Sequence, residues 1–449
     1  IGWKISTYLS TLIISAFIVF YIIGSIQRSS NISKLEKSIA VLPFENFSTE
    51  ANNSHLGDAI ANEISTQLAR IQNFEVRSFT SCIQYKGSTK PSMPQIGSEL
   101  NANFIIEGSF ELQNESVSIH VQIIQAANDN HIWANEFKGS WSDIFTIRAN
   151  ISKAVASELK TILSPDEIDQ IETRPTENLE AYNYYLLGNE HFWKSFQEQD
   201  WSIAINLYQK AIELDPDFAS AYTMLAKSHI FLYWFNYDHS DNRLIKSKDA
   251  IDNALRINKN LPDAYVALGQ YYYMGFLNYS KALDNFNIAL QYMHENAECI
   301  YMMAAVYRRM GDWDKAIKYF DKSVKYDPRN ARIMFNTAQT YKLIREYSTA
   351  FEYYNLTLKI NPNWSSGYRG IASLFLLRDG TTIDARKVLD DAKLFVTPQE
   401  IIMDLFRIEL YDENYEQAVA ILGDIENNFI GDQYNYYPKY LYTCLLYTS

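Results

Sequence analysis

Two prolines, Pro328 and Pro362, each close a segment that reads as helix, turn and helix. Their separation of about 34 residues is the period of a stacked array of helical hairpins. One hairpin cannot bury its own apolar face, so neighbouring hairpins must stack to build a continuous core. Small residues stand where helices must approach closely, at Ala304 and Ala316 in the first segment and at Ala338 and Ala350 in the second. The sequence therefore predicts an all-α repeat array.

The stretch from residue 179 to residue 430 resembles tetratricopeptide repeats. Six first helices carry the paired positions of that family: Leu187-Gly188, Leu225-Ala226, Leu268-Gly269, Met303-Ala304, Thr337-Ala338 and Ile371-Ala372. A seventh, weaker unit is predicted around Leu405 and Ala418. The resemblance implies a superhelix that binds a protein or peptide partner and follows a linker at residues 164–178.

An aromatic insertion, YWFNYDHSDNR from Tyr233 to Arg243, lengthens the second unit. One interpretation is a long loop between two helices, because loop insertions are well tolerated. The other is an edge that grips a partner. The sequence leaves both open.

Composition limits the classes of function. Of the 449 residues, 47% are hydrophobic, which is enough for a large folded core. The net charge of −13 argues against nucleic-acid binding by the array, because neutralising phosphates needs a basic face. The three cysteines, Cys82, Cys299 and Cys444, lie far apart without a CxxC pair, so neither a zinc site nor a disulfide framework is predicted.

An uncharged apolar segment runs from Ile5 to Ile26 and is long enough to cross a bilayer as a helix. A secretory signal peptide fits less well, because no small-residue cleavage site closes the segment. We therefore expect residues 1–37 to be a transmembrane anchor and linker. The flanking basic residues, Lys4 before the segment and Arg28, Lys34 and Lys37 after it, weakly favour a cytoplasmic carboxyl side.

Between Ser38 and Leu163 short strands alternate with helices, which indicates a compact α/β layer domain. Leu56, Ile60, Ile64 and Leu68 recur on one face of a predicted helix. The predicted strands are a run closed by Pro43, then Phe74 to Phe79, Phe104 to Leu112, Val117 to Ile124 and His131 to Phe137, and amphipathic helices are predicted through Ile96 and from Phe145 to Leu163.

This α/β stretch resembles the TolB amino-terminal-like domain of bacterial envelope and signalling proteins. The matching residues are AVLPFENFS at 40–48, LGDAIANEI at 56–64, VRSFTSCIQYKG at 76–87, IIEGSF at 105–110 and Trp133. The resemblance implies that tetratricopeptide repeats follow such a domain. It also implies that a cytoplasmic output module, such as a winged-helix or nucleotide-cyclase domain, often precedes the membrane anchor.

Motifs of catalysis are not found. The sequence contains no GxxxxGK[ST], GxGxxG, HExxH or GxSxG pattern, and the seven histidines are scattered. Asp58 and Glu63 lie on one predicted helix, but their spacing points them to different faces, and Asp58 suits the positive end of the helix dipole. We predict no catalytic residue, no metal site, no cofactor and no enzymatic activity.

The tetratricopeptide resemblance implies that first helices line a concave groove. The candidate peptide-binding residues on that side are Lys227, Gln270, Tyr273, Arg308, Gln339, Lys342 and Arg369. The groove is expected to be polar to basic within an acidic protein. The alternative is a merely solvated face.

The sequence thus predicts an α/β layer domain of the TolB amino-terminal type at 38–163 and an all-α tetratricopeptide superhelix at 179–430, behind a transmembrane helix. Residues 431–449 are expected to be a truncated end, and residues 444–449, CLLYTS, match one reading frame of a sequencing adapter. The favoured function is a membrane-anchored interaction scaffold of the bacterial envelope, with its soluble part in the periplasm. The alternative is the sensory half of a transmembrane regulator.

Overall fold

A computed structural model describes residues 35–48, 55–87, 89–195 and 197–428, with side chains through residue 421. Its first part holds a sheet in the order β3, β1, β4, β5, β6, with β2 paired to β4. β1 runs parallel to both β3 and β4, whereas β4, β5 and β6 form an antiparallel meander. The strands are β1 Ser38–Val41, β2 Glu45–Asn46, β3 Glu75–Val76, β4 Phe104–Gln113, β5 Ser116–Gln125 and β6 Asn130–Ser140.

Helices cover both faces of the sheet. One face packs against α1 and α4 around Ile60, Ile64 and Ile151, which are fully buried. The other face packs Ala40 and Ile105 against α3. Two covered faces explain the four buried residues in a row in β1. The helices of this part are α1 Leu56–Leu68, α2 Phe79–Cys82, α3 Met93–Leu100, α4 Ile144–Glu158 and α5 Pro165–Glu172.

Two elements of this part differ from the sequence prediction. The strand expected from Phe74 to Phe79 is only Glu75–Val76, because Ser78 accepts a hydrogen bond from the Thr80 N–H and starts α2. The helix expected to reach Leu163 ends at Glu158, and Lys160 has a φ of 54°. A left-handed residue cannot continue an α-helix, so the chain turns there into α5.

Seven pairs of antiparallel helices occupy residues 179–428 of the described chain, and we number them repeats 1 to 7. Each repeat has a first and a second helix joined by a short turn. The pairs are α6 Leu179–Lys194 with α7 Glu198–Leu214, α8 Ala219–Trp234 with α9 Asp241–Ile257, α10 Pro262–Gln270 with α11 Tyr279–Tyr292, α12 Ala297–Met310 with α13 Trp313–Tyr326, α14 Ala331–Leu343 with α15 Tyr347–Ile360, α16 Ser365–Leu374 with α17 Thr382–Ala392, and α18 Pro398–Tyr411 with α19 Tyr415–Asn428.

The small residues of the repeat pattern allow helices to touch. A Cβ on Gly188 would lie 2.5 Å from a ring carbon of Tyr208, and a Cβ on Gly269 would lie 2.4 Å from a ring carbon of Phe286. Both distances are too short for real carbon atoms, so only glycine fits at these two positions. The aromatic ring of the second helix therefore fills the space left on the first helix of the same repeat.

The aromatic insertion in repeat 2 is divided between two helices and the loop that joins them. α8 continues to Trp234 and α9 begins at Asp241. The fully buried ring of Trp201 lies 5.2 Å from Phe235 and 5.9 Å from Tyr237, measured between ring centroids. The insertion thus forms a short loop whose rings pack against repeat 1.

Two first helices end in π-helical segments, Tyr271–Gly275 after α10 and Phe375–Asp379 after α16. The chain divides into two compact units between Cys299 and Ile300. Within the described residues no helix is both long and apolar enough to span a membrane, and the apolar segment at 5–26 lies outside those residues.

Candidate functional site

Two arginines bind one carboxylate on the first helices of repeats 6 and 7, and Lys342 of repeat 5 bonds to a serine on the helix of one of these arginines. Arg369 Nε donates to Asp404 Oδ2 at 2.5 Å, and Arg407 Nη1 donates to Asp404 Oδ1 at 3.1 Å. Lys342 Nζ donates to Ser373 Oγ at 3.3 Å. We call Lys342, Arg369, Arg407 and Asp404 the basic cluster, because its formal charge is positive in an acidic protein.

Solvent exposure differs within the basic cluster. The Asp404 side chain is only 10% exposed, whereas the side chains of Arg369 and Arg407 are 39% and 48% exposed. Lys342 is partly buried, and its pKa lies below the usual lysine value because burial disfavours the ammonium. Arg407 and Arg369 lower the same pKa by repulsion, and Asp404 opposes them. An incoming anion would relieve this repulsion.

Arg308, in repeat 4, contacts the first helix of repeat 5. Its guanidinium donates to the backbone oxygen of Asn336 at 3.1 Å and to the Asn336 Oδ1 at 3.0 Å. It also lies 5.3 Å from the centroid of the Phe320 ring. Gln339 lies on the same helix as Lys342 and is partly buried. The structure thus places Arg308, Gln339, Lys342 and Arg369 on successive first helices of one compact unit.

The remaining three candidates lie in the other compact unit and are buried. Lys227 is 3% exposed, and its Nζ donates to Glu298 Oε2 at 2.6 Å. Gln270 is fully buried and donates to Glu298 Oε1 at 2.9 Å. Tyr273 is 3% exposed and packs 5.5 Å from Trp234. These contacts connect the first helices of repeats 2, 3 and 4, so peptide binding by Lys227, Gln270 and Tyr273 stays a prediction that their burial does not favour.

Asp404 and Arg407 were not among the sequence-derived candidates. Both lie in the seventh repeat, whose pattern is the weakest of the array. Their spacing of three residues puts them on one face of a helix, which is the signal that could have identified them. This spacing, together with the opposite charges of Asp404 and Arg407, would have extended the set of candidate peptide-binding residues to repeat 7.

Asp58 and Glu63, the two carboxylates singled out on α1, each have a basic partner. Asp58 lies in the first turn of α1 and bonds to Lys86 at 2.5 Å. Burial raises the pKa of Asp58, and Lys86 opposes that effect. Glu63 accepts a hydrogen bond from Arg148. Among the residues described, no group of three or more histidine, cysteine, aspartate or glutamate side chains could hold a metal ion.

Three family models match parts of the chain. Residues 195–230 match a TPR repeat model and residues 296–363 match a tetratricopeptide repeat model. Residues 35–153 match the second domain of HilA/YgeH-like transcriptional regulators. The repeat prediction is thereby confirmed, whereas the TolB resemblance stays a prediction.

The chain is also similar to a putative adenylate cyclase 3 of Rhizobium meliloti (strain 1021). The two are 27% identical over 189 residues, which is 42% of this chain and 32% of that protein. The chain therefore spans about a third of the length of this curated relative.

Solved structures show likeness at low sequence identity. A monomeric mutant of IFIT1 is 14% identical, with a TM-score of 0.50 over 68% of both chains. A tetratricopeptide repeat protein from Parabacteroides merdae ATCC 43184 is 17% identical, with a TM-score of 0.42 over 60% of this chain and 100% of that one. The similarity to IFIT1 supports a helical-repeat fold, and at this identity it indicates nothing about function.

Proposed function

We propose that this chain is a protein-interaction scaffold whose repeats bind an acidic segment or a carboxyl terminus of a partner protein. The repeat fold supports binding to a protein or peptide, and the basic cluster supports a negatively charged ligand. The single observation that carries the proposal is that three cations, Arg369 and Arg407 bonded to Asp404 and Lys342 bonded to Ser373, lie on the first helices of three successive repeats with one carboxylate among them.

Lys342 is the member of the basic cluster with the clearest binding role. Its ammonium is partly removed from water and lies near two arginines, an arrangement that disfavours the charged form. Arg369 pairs with Asp404 between α16 and α18, so it contributes to holding these two helices as well as to the charge. Arg407 pairs with Asp404 within α18 and contributes charge. A carboxylate placed between Lys342 and the arginines would accept charge-assisted hydrogen bonds, which are stronger than neutral ones.

The test uses the full chain and a synthetic peptide library with varied acidic content and either free or amidated carboxyl termini. We expect acidic or free-carboxylate peptides to be enriched. Lys342→Gln should weaken their binding by about tenfold, as expected for one charge-assisted hydrogen bond. The matched control is Lys387→Gln, which removes the same charge from an exposed position on the second helix of repeat 6. Binding without preference for acidic peptides, or equal loss in both variants, contradicts the proposal.

A second candidate function is the sensory half of a transmembrane regulator. The match of residues 35–153 to a domain of transcriptional regulators favours it, as does the similarity to a protein named a putative adenylate cyclase. The gene region upstream of the codon for Ile1 decides between the two. A winged-helix or cyclase module encoded there supports the regulator, and membrane segments alone support the scaffold.

The proposed function includes specific domain boundaries and a location in the cell. We propose a TolB amino-terminal-like domain at 38–163, a linker at 164–178, the array at 179–430 and an inner-membrane anchor at Ile5 to Ile26. The soluble part would then lie in the periplasm, as the TolB resemblance implies. Fusions after Leu163 test the location, because phosphatase is active outside the cytoplasm. Activity of a reporter that works only in the cytoplasm would reverse the assignment.

A further inference from the structure

The last strand of the sheet, β6, leaves one of its edges open. Along the described strands β6 pairs only with β5, and with its run from Asn130 to Ser140 it is the longest strand of the sheet. The strand contains no proline. A long edge strand presents a row of unpaired N–H and C=O groups, which is a template for pairing with another strand.

The outward backbone groups of β6 can be identified from its pairing with β5. The Trp141 N–H donates to the Glu115 oxygen at 2.7 Å, and Ser140 is opposite Ser116 in the ladder. In an antiparallel pair, hydrogen-bonded and non-hydrogen-bonded positions alternate. The backbone groups that face away from β5 therefore belong to Ala134, Glu136, Lys138 and Ser140. Two of these residues have an N–H group that already donates to a side chain: Glu136 N–H to Asn135 Oδ1 at 2.9 Å and Ser140 N–H to Asp143 Oδ2 at 3.3 Å.

The side chains of β6 differ between the two faces of the sheet. Glu136 and Lys138 lie on the open face, with side chains 44% and 68% exposed, and their charged atoms are 2.8 Å apart. Trp133 and Phe137 lie on the other face, partly buried against the core, with ring centroids 6.1 Å apart. A new neighbouring strand would cover the exposed side of both rings.

We propose that the open edge of β6 pairs with β6 of a second copy of this chain, antiparallel, with the two-fold axis at Phe137. In this register Glu136 of each copy lies opposite Lys138 of the other. Ala134 lies opposite Ser140, and the two Phe137 side chains meet at the axis. All four outward residues of each strand then lie at hydrogen-bonding positions, where the N–H groups of Glu136 and Ser140 exchange their side-chain acceptors for backbone oxygens of the partner strand. Opposite charges face each other twice.

Other registers are less favourable. An axis at Glu136 places the two copies of Glu136 opposite each other, and an axis at Lys138 does the same for the lysines, so like charges repel. An axis at Asn135 brings Ile132 opposite Lys138, but the ladder with β5 shifts register between Ile123 and Ile124, opposite Ile132. A bulge there interrupts regular pairing. The two-fold contact at Phe137 is self-complementary and closed, as in most homodimers.

The oligomeric state of the full chain tests the register by charge reversal. Sedimentation of the wild-type chain should show a dimer whose dissociation constant rises at least about tenfold in Glu136→Lys and in Lys138→Glu, because each change creates two like-charge pairs. Combining Glu136→Lys with Lys138→Glu in one chain exchanges the charges and should restore the dimer. Glu111→Lys is the control, since Glu111 is exposed on β4, away from the edge.

Cross-linking provides a second measurement. Phe137→Cys should form a disulfide-linked dimer, because the non-hydrogen-bonded pair at the axis brings the two Cα atoms within disulfide range. Ala134→Cys should not, since its counterpart is Ser140. A monomeric wild type, including one whose edge binds a peptide strand instead, overturns the proposal. So does a dimer that the single charge reversals leave unchanged.

Discussion

Arg148 and Glu63 form an ion pair between α4 and α1, with Nη1 and Oε2 2.5 Å apart. The same nitrogen donates to the hydroxyl of Tyr182 at 2.8 Å. Tyr182 is fully buried and belongs to α6, the first helix of the array. One guanidinium thus connects α1 and α4, two helices on the same face of the sheet, with the first helix of repeat 1.

Removing this guanidinium should destabilise the protein strongly. Arg148→Met leaves Glu63 without its partner at a site where Glu63 is only 19% exposed, so we expect a loss of about 3–5 kcal/mol in the free energy of unfolding. Tyr182→Phe removes a single hydrogen bond and should cost about 1 kcal/mol. Urea unfolding followed by tryptophan fluorescence measures both.

Lys153→Met is the matched control for Arg148→Met. Lys153 lies on the same helix and pairs with Glu172, but the two side chains are 35% and 51% exposed. Exposed pairs contribute at most about 1 kcal/mol. Equal losses in the Lys153 and Arg148 variants would show that burial of the pair does not matter.

A methyl group on Gly269 should destabilise repeat 3. Alanine favours a helix over glycine by up to about 1 kcal/mol, but its Cβ would overlap Phe286, and overpacking costs about 1–3 kcal/mol. We expect Gly269→Ala to lower the thermal midpoint. The loss should be smaller when Phe286→Leu is already present, and a double-mutant cycle measures the difference. Additive effects of the two substitutions would exclude steric overlap as the cause.

Lys342→Gln should stabilise the protein at neutral pH while weakening binding. The pKa of Lys342 is lowered in the folded chain, first by burial, so the folded state disfavours the charged side chain. This penalty is fully present below the folded pKa and disappears as the pH rises through it to the ordinary lysine value of about 10.4. Unfolding curves of wild type and variant should therefore converge above about pH 10.4. A variant less stable than wild type at pH 7 would contradict this expectation.

Arginines in the apolar segment should release the protein from membranes. In the chain carrying both Ile14→Arg and Phe17→Arg, each charge at the bilayer centre costs about 2.5–3.5 kcal/mol on insertion. Carbonate extraction followed by fractionation measures the result. The control carries Ile245→Arg and Ile383→Arg, two positions that are 58% and 80% exposed in the repeats. Retention of the first variant in the membrane fraction would exclude this segment as the anchor.

Helices and turns of the repeats could be predicted because they depend on local signals. The helix ends at Tyr326 and Ile360 follow from the prolines two residues later, and the close contacts follow from the small residues. The environment of Lys227 could not be predicted, since its partner Glu298 lies two repeats further along the chain. A periodic pattern identifies which face a residue occupies, but it contains no information on whether a neighbouring carboxylate removes that residue from solvent.

The charges of the basic cluster could also be predicted only in part. Lys342 and Arg369 were predicted on first helices, and the structure places both there. Arg407 and Asp404, which set the local balance of charge, come from the repeat with the weakest pattern. Tyr273 was assigned to the groove by its position in the repeat, but it lies in a π-helical segment and faces the interior.

The two π-helical segments occur in repeats that have one residue more between their small residues. Thirteen positions separate Gly269 from Ala282 and Ala372 from Ala385, whereas twelve separate Ala304 from Ala316 and Ala338 from Ala350. The extra residue in repeats 3 and 6 is held inside the helix, where one wide turn absorbs it. If an alignment places the gap in the loop after the first helix, every residue between the π-helical turn and that loop is aligned with the wrong position. Each such residue is then assigned a direction that is wrong by about 100° around the helix axis. For comparing relatives of this chain, the gap belongs inside the first helix.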